Sequence, residues 1–194
     1  MGIMQRSNYF THWNYFLSIE KDLEKISRYV EFSKDNWTTY SIEIARIILA
    51  SASDTDVLLK ALCKRVSPGA KAKSINKYMD VIKKIFPDIP AFEVSLPRWG
   101  LNFIPWSDWA SDEVPAWWTA NNKIKHHRDK GYHRANLLNA LKAVAGLYVI
   151  NLYFYKKQAV DGKLLPMPLL LRPSKEHFNG TTFNDVEFSI NYKL

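Results

Sequence analysis

Apolar residues recur every three or four positions through most of the first 86 residues, and that period predicts three helices. Over residues 9–32, Phe16, Ile19, Leu23, Ile26 and Val30 form one stripe, while Glu20, Glu24 and Arg28 occupy another face. Glu24 and Arg28 are spaced as a favourable i,i+4 ion pair. A second helix is expected over residues 39–66, with Ile44, Ile47, Ile48, Leu58, Leu62 and Val66 buried. Ser51 and Thr55 fall at intervening core-phase positions, where small side chains permit close helix approach. The third, over residues 70–86, buries Ile75, Met79, Ile82 and Phe86 and carries Lys71, Lys73, Lys77, Lys83 and Lys84 on its polar side. Pro87 ends it.

The period is then lost. Residues 87–114 contain Pro87, Pro90, Pro97 and Pro105, and two short alternating runs flank Pro97-Arg-Trp-Gly100, as in a β-hairpin. Trp99, Trp106, Trp109, Trp117 and Trp118 crowd into and just beyond this insertion. They are read as a satellite core that pins it to the helices, since tryptophan is highly buried on average. Base stacking is the alternative. Helical spacing resumes from Pro115 to about residue 128, is broken at Asp129-Lys-Gly131, and returns over residues 132–158. That last helix is apolar on two sides, through Leu137, Leu141, Val144, Tyr148 and Leu152 and through Ala143, Leu147, Ile150 and Phe154. It belongs at the centre of the fold or at a subunit interface. The extension from residue 160 ends in one expected strand containing Phe183, Val186, Phe188 and Ile190, able to pair with the earlier hairpin. The pattern as a whole predicts a mainly α protein: a single domain over 1–194, a bundle of about five helices, a small Trp-rich hairpin insertion and a short C-terminal strand.

Composition narrows the function classes. The chain has 47% hydrophobic and 24% charged residues, as an ordinary globular domain does. A net charge of +8 suits an anionic partner, nucleic acid first and a membrane surface second. Cys63 is the only cysteine and falls in an apolar helical pattern, so a buried structural thiol is expected. The first ten residues lack the apolar run of a signal peptide, and Asn151 interrupts the most apolar stretch. A cytoplasmic protein that does not span a membrane is expected. Nothing matches a phosphate-binding loop, dinucleotide fingerprint or zinc-finger pattern, and His126, His127 and His133 lack zinc-ligand spacing. Neither a metal nor a small-molecule cofactor is expected.

Candidate chemistry concentrates in Asn121-Asn122-Lys123-Ile124-Lys125-His126-His127-Arg128. On a helix, Trp118, Asn122 and His126 share one stripe flanked by Asn121 and Lys125, while Ile124 and His127 turn toward the core. Imidazole exchanges protons near neutral pH, amides orient neighbours, and Lys125 and Arg128 can hold phosphate. His126 also sits where a helix C-terminus favours an imidazolium, which is a purely structural role.

Asn122-x-x-x-His126, standing before the last long helix, resembles the motif of the HEPN superfamily. That all-α group includes toxin, antiphage and CRISPR-associated ribonucleases whose motif is arginine, a polar residue and histidine, with four to six residues between the arginine and the histidine. The resemblance covers residues 9–66 and 114–158. Asn122 and His126 match; Asn121 stands where the family has arginine. Arg128-Asp-Lys-Gly-Tyr-His133 offers a second, competing match. The resemblance implies metal-independent RNA cleavage in stress or antiphage defence, in a cleft shared by a homodimer. It makes His126 the acid–base group, Asn122 its orienter and Lys125 or Arg128 the phosphate contact. A missing charge-stabilising donor costs about 10²–10³ in rate, so the alternative is a non-catalytic interaction or scaffold domain. A third reading is nonspecific DNA binding through the lysine-rich helix at 70–86.

Overall fold

The computed structural model describes residues 10–184 and 187–194. Its helices are α1 (Thr11–Ile26), α2 (Ile42–Val66), α3 (Ile75–Ile85), α4 (Ala116–His126), α5 (Arg128–Gly131), α6 (Leu137–Phe154) and α7 (Lys156–Val160). The strands are β1 (Val94–Leu96), β2 (Leu101–Phe103), β3 (Arg172–Pro173), β4 (Phe178–Asn184) and β5 (Glu187–Tyr192). The protein is mainly α, with seven helices among the described residues rather than about five.

α6 is the axis of the fold because both of its apolar faces are covered by its own chain. Ala143, Val144, Leu147, Tyr148, Ile150 and Leu152 are all fully buried. α2 is its principal packing partner, with α1 and α4 also against it. Its second apolar face is therefore interior and does not offer the subunit interface that the sequence had left open. By length and composition α6 could cross a membrane, yet 78% of that window is buried within the protein, as in a core helix.

Helix ends depart from the apolar period where polar side chains intervene. α1 stops at Ile26, short of residue 32, where the Ser27 hydroxyl donates to the Glu24 carbonyl (2.7 Å) and the chain turns. Ser41 caps α2 by accepting from the Ile44 N–H. α6 begins at Leu137 and not near Tyr132, because Asn136 caps it by accepting from the Asn139 N–H (3.1 Å). Residues Tyr132–Arg134 form a separate 3-10 turn.

The expected hairpin is present. β1 and β2 pair antiparallel, Leu96 opposite Leu101, around a turn closed by Gly100 at φ 62°. The strand that joins it is β3, not the end of the chain. The final segment instead folds on itself as the β4–β5 hairpin, with Phe183 opposite Phe188. Val186 lies outside the described residues.

Trp106, Trp109, Trp117 and Trp118 are buried core, not a stacking surface. The Trp106 indole donates to the Gly146 carbonyl (3.2 Å) and the Trp117 indole to the Pro105 carbonyl (2.8 Å), so the insertion is bolted to both α6 and α4. Lys83 of α3 also reaches the insertion, pairing with Asp112 at 2.6 Å and donating to the Trp109 carbonyl.

Candidate functional site: a cationic turn at the head of the central helix

α4 is aimed by its ends. Its first N–H groups receive a cap from outside, the Ala116 N–H donating to the Asp108 carboxylate (3.1 Å). Trp117, Trp118, Ala120 and Ile124 form its buried face, and Asn122, Lys123, Lys125 and His126 are exposed. At the other end the chain turns back sharply. His127 leaves helical geometry (φ −141°, ψ 49°), and its carbonyl accepts from Lys130 and Gly131 to start α5. Gly131 lies so close to α4 that a Cβ there would sit 3.0 Å from the Lys123 Cβ and 3.2 Å from its carbonyl oxygen. Only glycine fits without a shift. The result packs α5 and the Tyr132–Arg134 turn against α4, making one continuous surface.

That surface is strongly cationic. Between residues 123 and 134 it carries Lys123, Lys125, Arg128, Lys130 and Arg134 against the single acid Asp129, a net +4 and half the charge of the chain. All of these side chains are exposed, as are His126, His127 and His133. Among the described residues none of the five cations forms an ion pair. Two of the three lysines of α3 differ, since Lys77 pairs with Asp80 (3.2 Å) and Lys83 with Asp112.

The structure divides the residues singled out in the sequence. Asn122 and His126 stand one turn apart on the exposed side of α4, with Lys125 beside them and Arg128 opening α5. Asn121 is half-buried and donates weakly to the Asn122 amide oxygen (3.4 Å). His133 is exposed on the 3-10 turn that follows α5. Two expectations are corrected. Trp118 does not share the exposed stripe: it is 7% exposed and packs edge-on against Trp117, leaving no ring face for a base. His127 is exposed rather than packed, because α4 ends one residue before it and the helical phase no longer applies. Among the described residues no hydrogen bond or ion pair joins His126 to Asn122, Arg128 or His133. Its imidazole is offered to solvent without an orienting partner.

The tightest acid–base geometry lies elsewhere and left no local motif. His12 of α1 meets Asp54 of α2 at 2.8 Å, Nδ1 to Oδ1, with side-chain exposures of 26% and 10%. The Tyr155 hydroxyl accepts weakly from the His12 N–H (3.4 Å), and the imidazole sits edge-on to Phe154. Asp54 Oδ2 is buried without a partner. This pair adjoins the C-terminal end of α6, whereas the cationic turn lies at its N-terminal end. Eighteen helical residues separate them by about 27 Å, so the two do not share a cleft. The sequence signal for Asp54 was its phase, three after Ser51 and four before Leu58.

A second buried acid, Glu20, is structural. The sequence pattern groups it with Glu24 and Arg28 on a face apart from the apolar stripe, but it shares the phase of Trp13, Phe16 and Leu17 and is 1% exposed. Its carboxylate accepts from the N–H groups of Leu169, Leu170 and Leu171 at 2.7, 2.8 and 2.9 Å. Burial pushes both Glu20 and Asp54 above the ordinary carboxyl range, and their hydrogen bonds pull back part of the shift. The folded chain then holds these protons to higher pH than the unfolded chain. Stability accordingly falls as pH rises from the ordinary carboxyl values through the raised folded ones. Urea midpoints from about pH 4 to about pH 7 should show this decline, and Glu20→Gln/Asp54→Asn should flatten it. A decline of unaltered slope in the double variant would assign it to other groups.

No family model matches the chain, and searches of curated proteins and solved structures return no match either.

Proposed function

We propose that the protein binds RNA through the turn formed by α4, α5 and residues 132–134. The observation that carries this is the set of five exposed cations free of ion pairs on one folded-back surface. Unpaired Lys and Arg side chains on a rigid surface neutralise phosphates and release counterions. The lysine-rich α3 is a poorer candidate for nonspecific DNA binding, since Lys77 and Lys83 are already paired.

The HEPN resemblance adds a second step to this reading. It assigns His126 as the acid–base group, Asn122 as its orienter, and Lys125 or Arg128 as the phosphate contact in a metal-independent cleavage by a homodimer. Arg128, next but one to His126 and exposed, is the residue placed to stand in for the arginine that Asn121 replaces. His126 has no orienting partner, so binding is the function that the geometry supports best, and cleavage requires that RNA or a second subunit complete the site.

The test is a salt titration of single-stranded RNA binding. Five phosphate contacts give a slope near about −3.5 in log K against log salt, so fourfold more salt weakens binding about 100-fold. Reversing Lys125, Arg128 and Lys130 to Glu should weaken binding by more than about tenfold and reduce the slope by about 2. Lys77→Glu/Lys84→Glu, both on α3, should change little. Binding that ignores salt, or that falls only in the α3 variant, would overturn the proposal. Incubation in EDTA tests the second step: cutting that disappears in His126→Ala supports a nuclease, and binding without cutting supports a module.

A further inference from the structure

Tyr40 borders the cationic turn and belongs to neither the helical core nor the motif. It is 53% exposed, a large aromatic surface for a residue so firmly held. Its backbone bridges to Asn136, and the flanking carbonyls of Thr39 and Trp37 accept from Leu137 (2.9 Å) and Leu138 (3.3 Å). Its ring meets Tyr132 edge-to-face at 5.7 Å and 87°. Tyr132 opens the 3-10 turn that carries His133 and Arg134, and that turn is tied to the same cap: the Asn136 side chain donates to the His133 carbonyl and the Asn139 side chain to the Arg134 carbonyl. Tyr40 is thus fixed at the rim of the cationic surface by backbone pairing and by an aromatic neighbour.

Four other exposed aromatics lack this setting. Tyr15 and Tyr29 border a groove between α1 and α2 whose charges are of both signs, among them Lys21, Asp22, Glu24 and Arg46. Phe183 and Phe188 pair with each other on the β4–β5 hairpin.

We infer that Tyr40 is a stacking platform for one unpaired base of a strand whose phosphates lie along Arg128, Lys130 and Arg134. This rests on the RNA-binding reading above and specifies the form of the ligand and the residue that sets its register. A paired base has both faces occupied by its neighbours, whereas an unpaired base can lay one face on an aromatic ring. Because the backbone is paired and the ring already rests against Tyr132, part of the side-chain freedom is lost before a base arrives. Base-on-aromatic stacking is sequence-tolerant, so Tyr40 favours single strands without dictating their sequence.

Charge and stacking separate in one experiment. Fluorescence anisotropy with a labelled single-stranded RNA, and with the same strand annealed to its complement, is measured for the full chain and for Tyr40→Ala and Tyr40→Phe across salt concentrations. Tyr40→Ala should lose about 5- to 150-fold in single-strand affinity at every salt concentration, with the slope unchanged because no cation has been removed. Tyr40→Phe keeps the ring and should bind as the parent does, which excludes a lost hydroxyl contact. The duplex should show no dependence on Tyr40. A 2-aminopurine in the strand should be quenched by the parent and by Tyr40→Phe, and not by Tyr40→Ala. Parent-like binding by Tyr40→Ala with the salt slope intact would overturn the stacking inference and leave the cationic surface standing. So would an equal loss for duplex and single strand. Salt-independent binding by the parent would remove the surface reading, and the stacking inference with it.

Discussion

Glu20→Ala should lower the unfolding free energy by about 3–5 kcal/mol, because it leaves three consecutive backbone donors of the C-terminal extension without partners. The three N–H groups of Leu169, Leu170 and Leu171 converge on one carboxylate, and Leu170 and Leu171 are themselves buried. Water cannot replace the lost acceptor unless the segment lifts away from α1. The Trp13 indole, which donates to the Pro166 carbonyl at 3.1 Å, would then hold the extension alone at this point. Glu20→Gln keeps one carbonyl oxygen but turns the other acceptor into a donor that faces an N–H, so it should recover only part of the loss. Chemical denaturation measures the first quantity, and amide exchange at residues 169–171 measures the second. An alanine variant within about 1 kcal/mol of the parent, with those amides still protected, would show that the clamp is not needed.

Trp117→Ala should cost about 3–5 kcal/mol, as for other fully buried large aromatics. Its indole fills the junction between α4, α6 and the insertion and donates to the Pro105 carbonyl. The same junction explains Gly146. A Cβ on that residue would lie 2.8 Å from Trp117 Cζ2, so α6 can approach α4 this closely only with glycine there. Gly146→Ala overpacks the site and should cost about 1–3 kcal/mol alone. In a Trp117→Leu background the clashing six-membered ring is gone, and the same glycine substitution should cost close to nothing. The double variant is then markedly non-additive, which a double-mutant cycle reads directly. Additive costs would mean that the close approach of Trp117 is not what requires glycine at position 146.

What the sequence revealed depended on how local each feature is. α2, α3 and the hairpin around Pro97–Gly100 were legible because their apolar periods and turn residues are contiguous. The tryptophan satellite core was legible because bulk and burial go together. Asn136 caps α6, but the apolar period continues back through the preceding 3-10 turn and so places the helix start at residue 132, ahead of Leu137. Glu20 and Asp54 were harder, since each sits in core phase and its partner lies far along the chain, 42 residues away for Asp54 and about 150 for Glu20. No local period encodes such pairings. β3 is two residues long and is a strand only because β1 lies beside it. At the candidate site, the density of cations was plain in the composition. Their freedom from ion pairs, the return of α5 onto α4 and the approach of Tyr40 are properties of the folded surface alone.

The Glu20 clamp also bears on the order in which the chain can fold. α1 is made early, yet the donors that satisfy its buried carboxylate come roughly 150 residues later. Until then a charged group sits within the apolar stripe of α1 and keeps that face hydrated. During synthesis, at about 5–20 residues per second, those donors emerge well after α1. This closure joins parts of the fold about 150 residues apart, so Glu20 fastens the chain only after nearly all of it has been made.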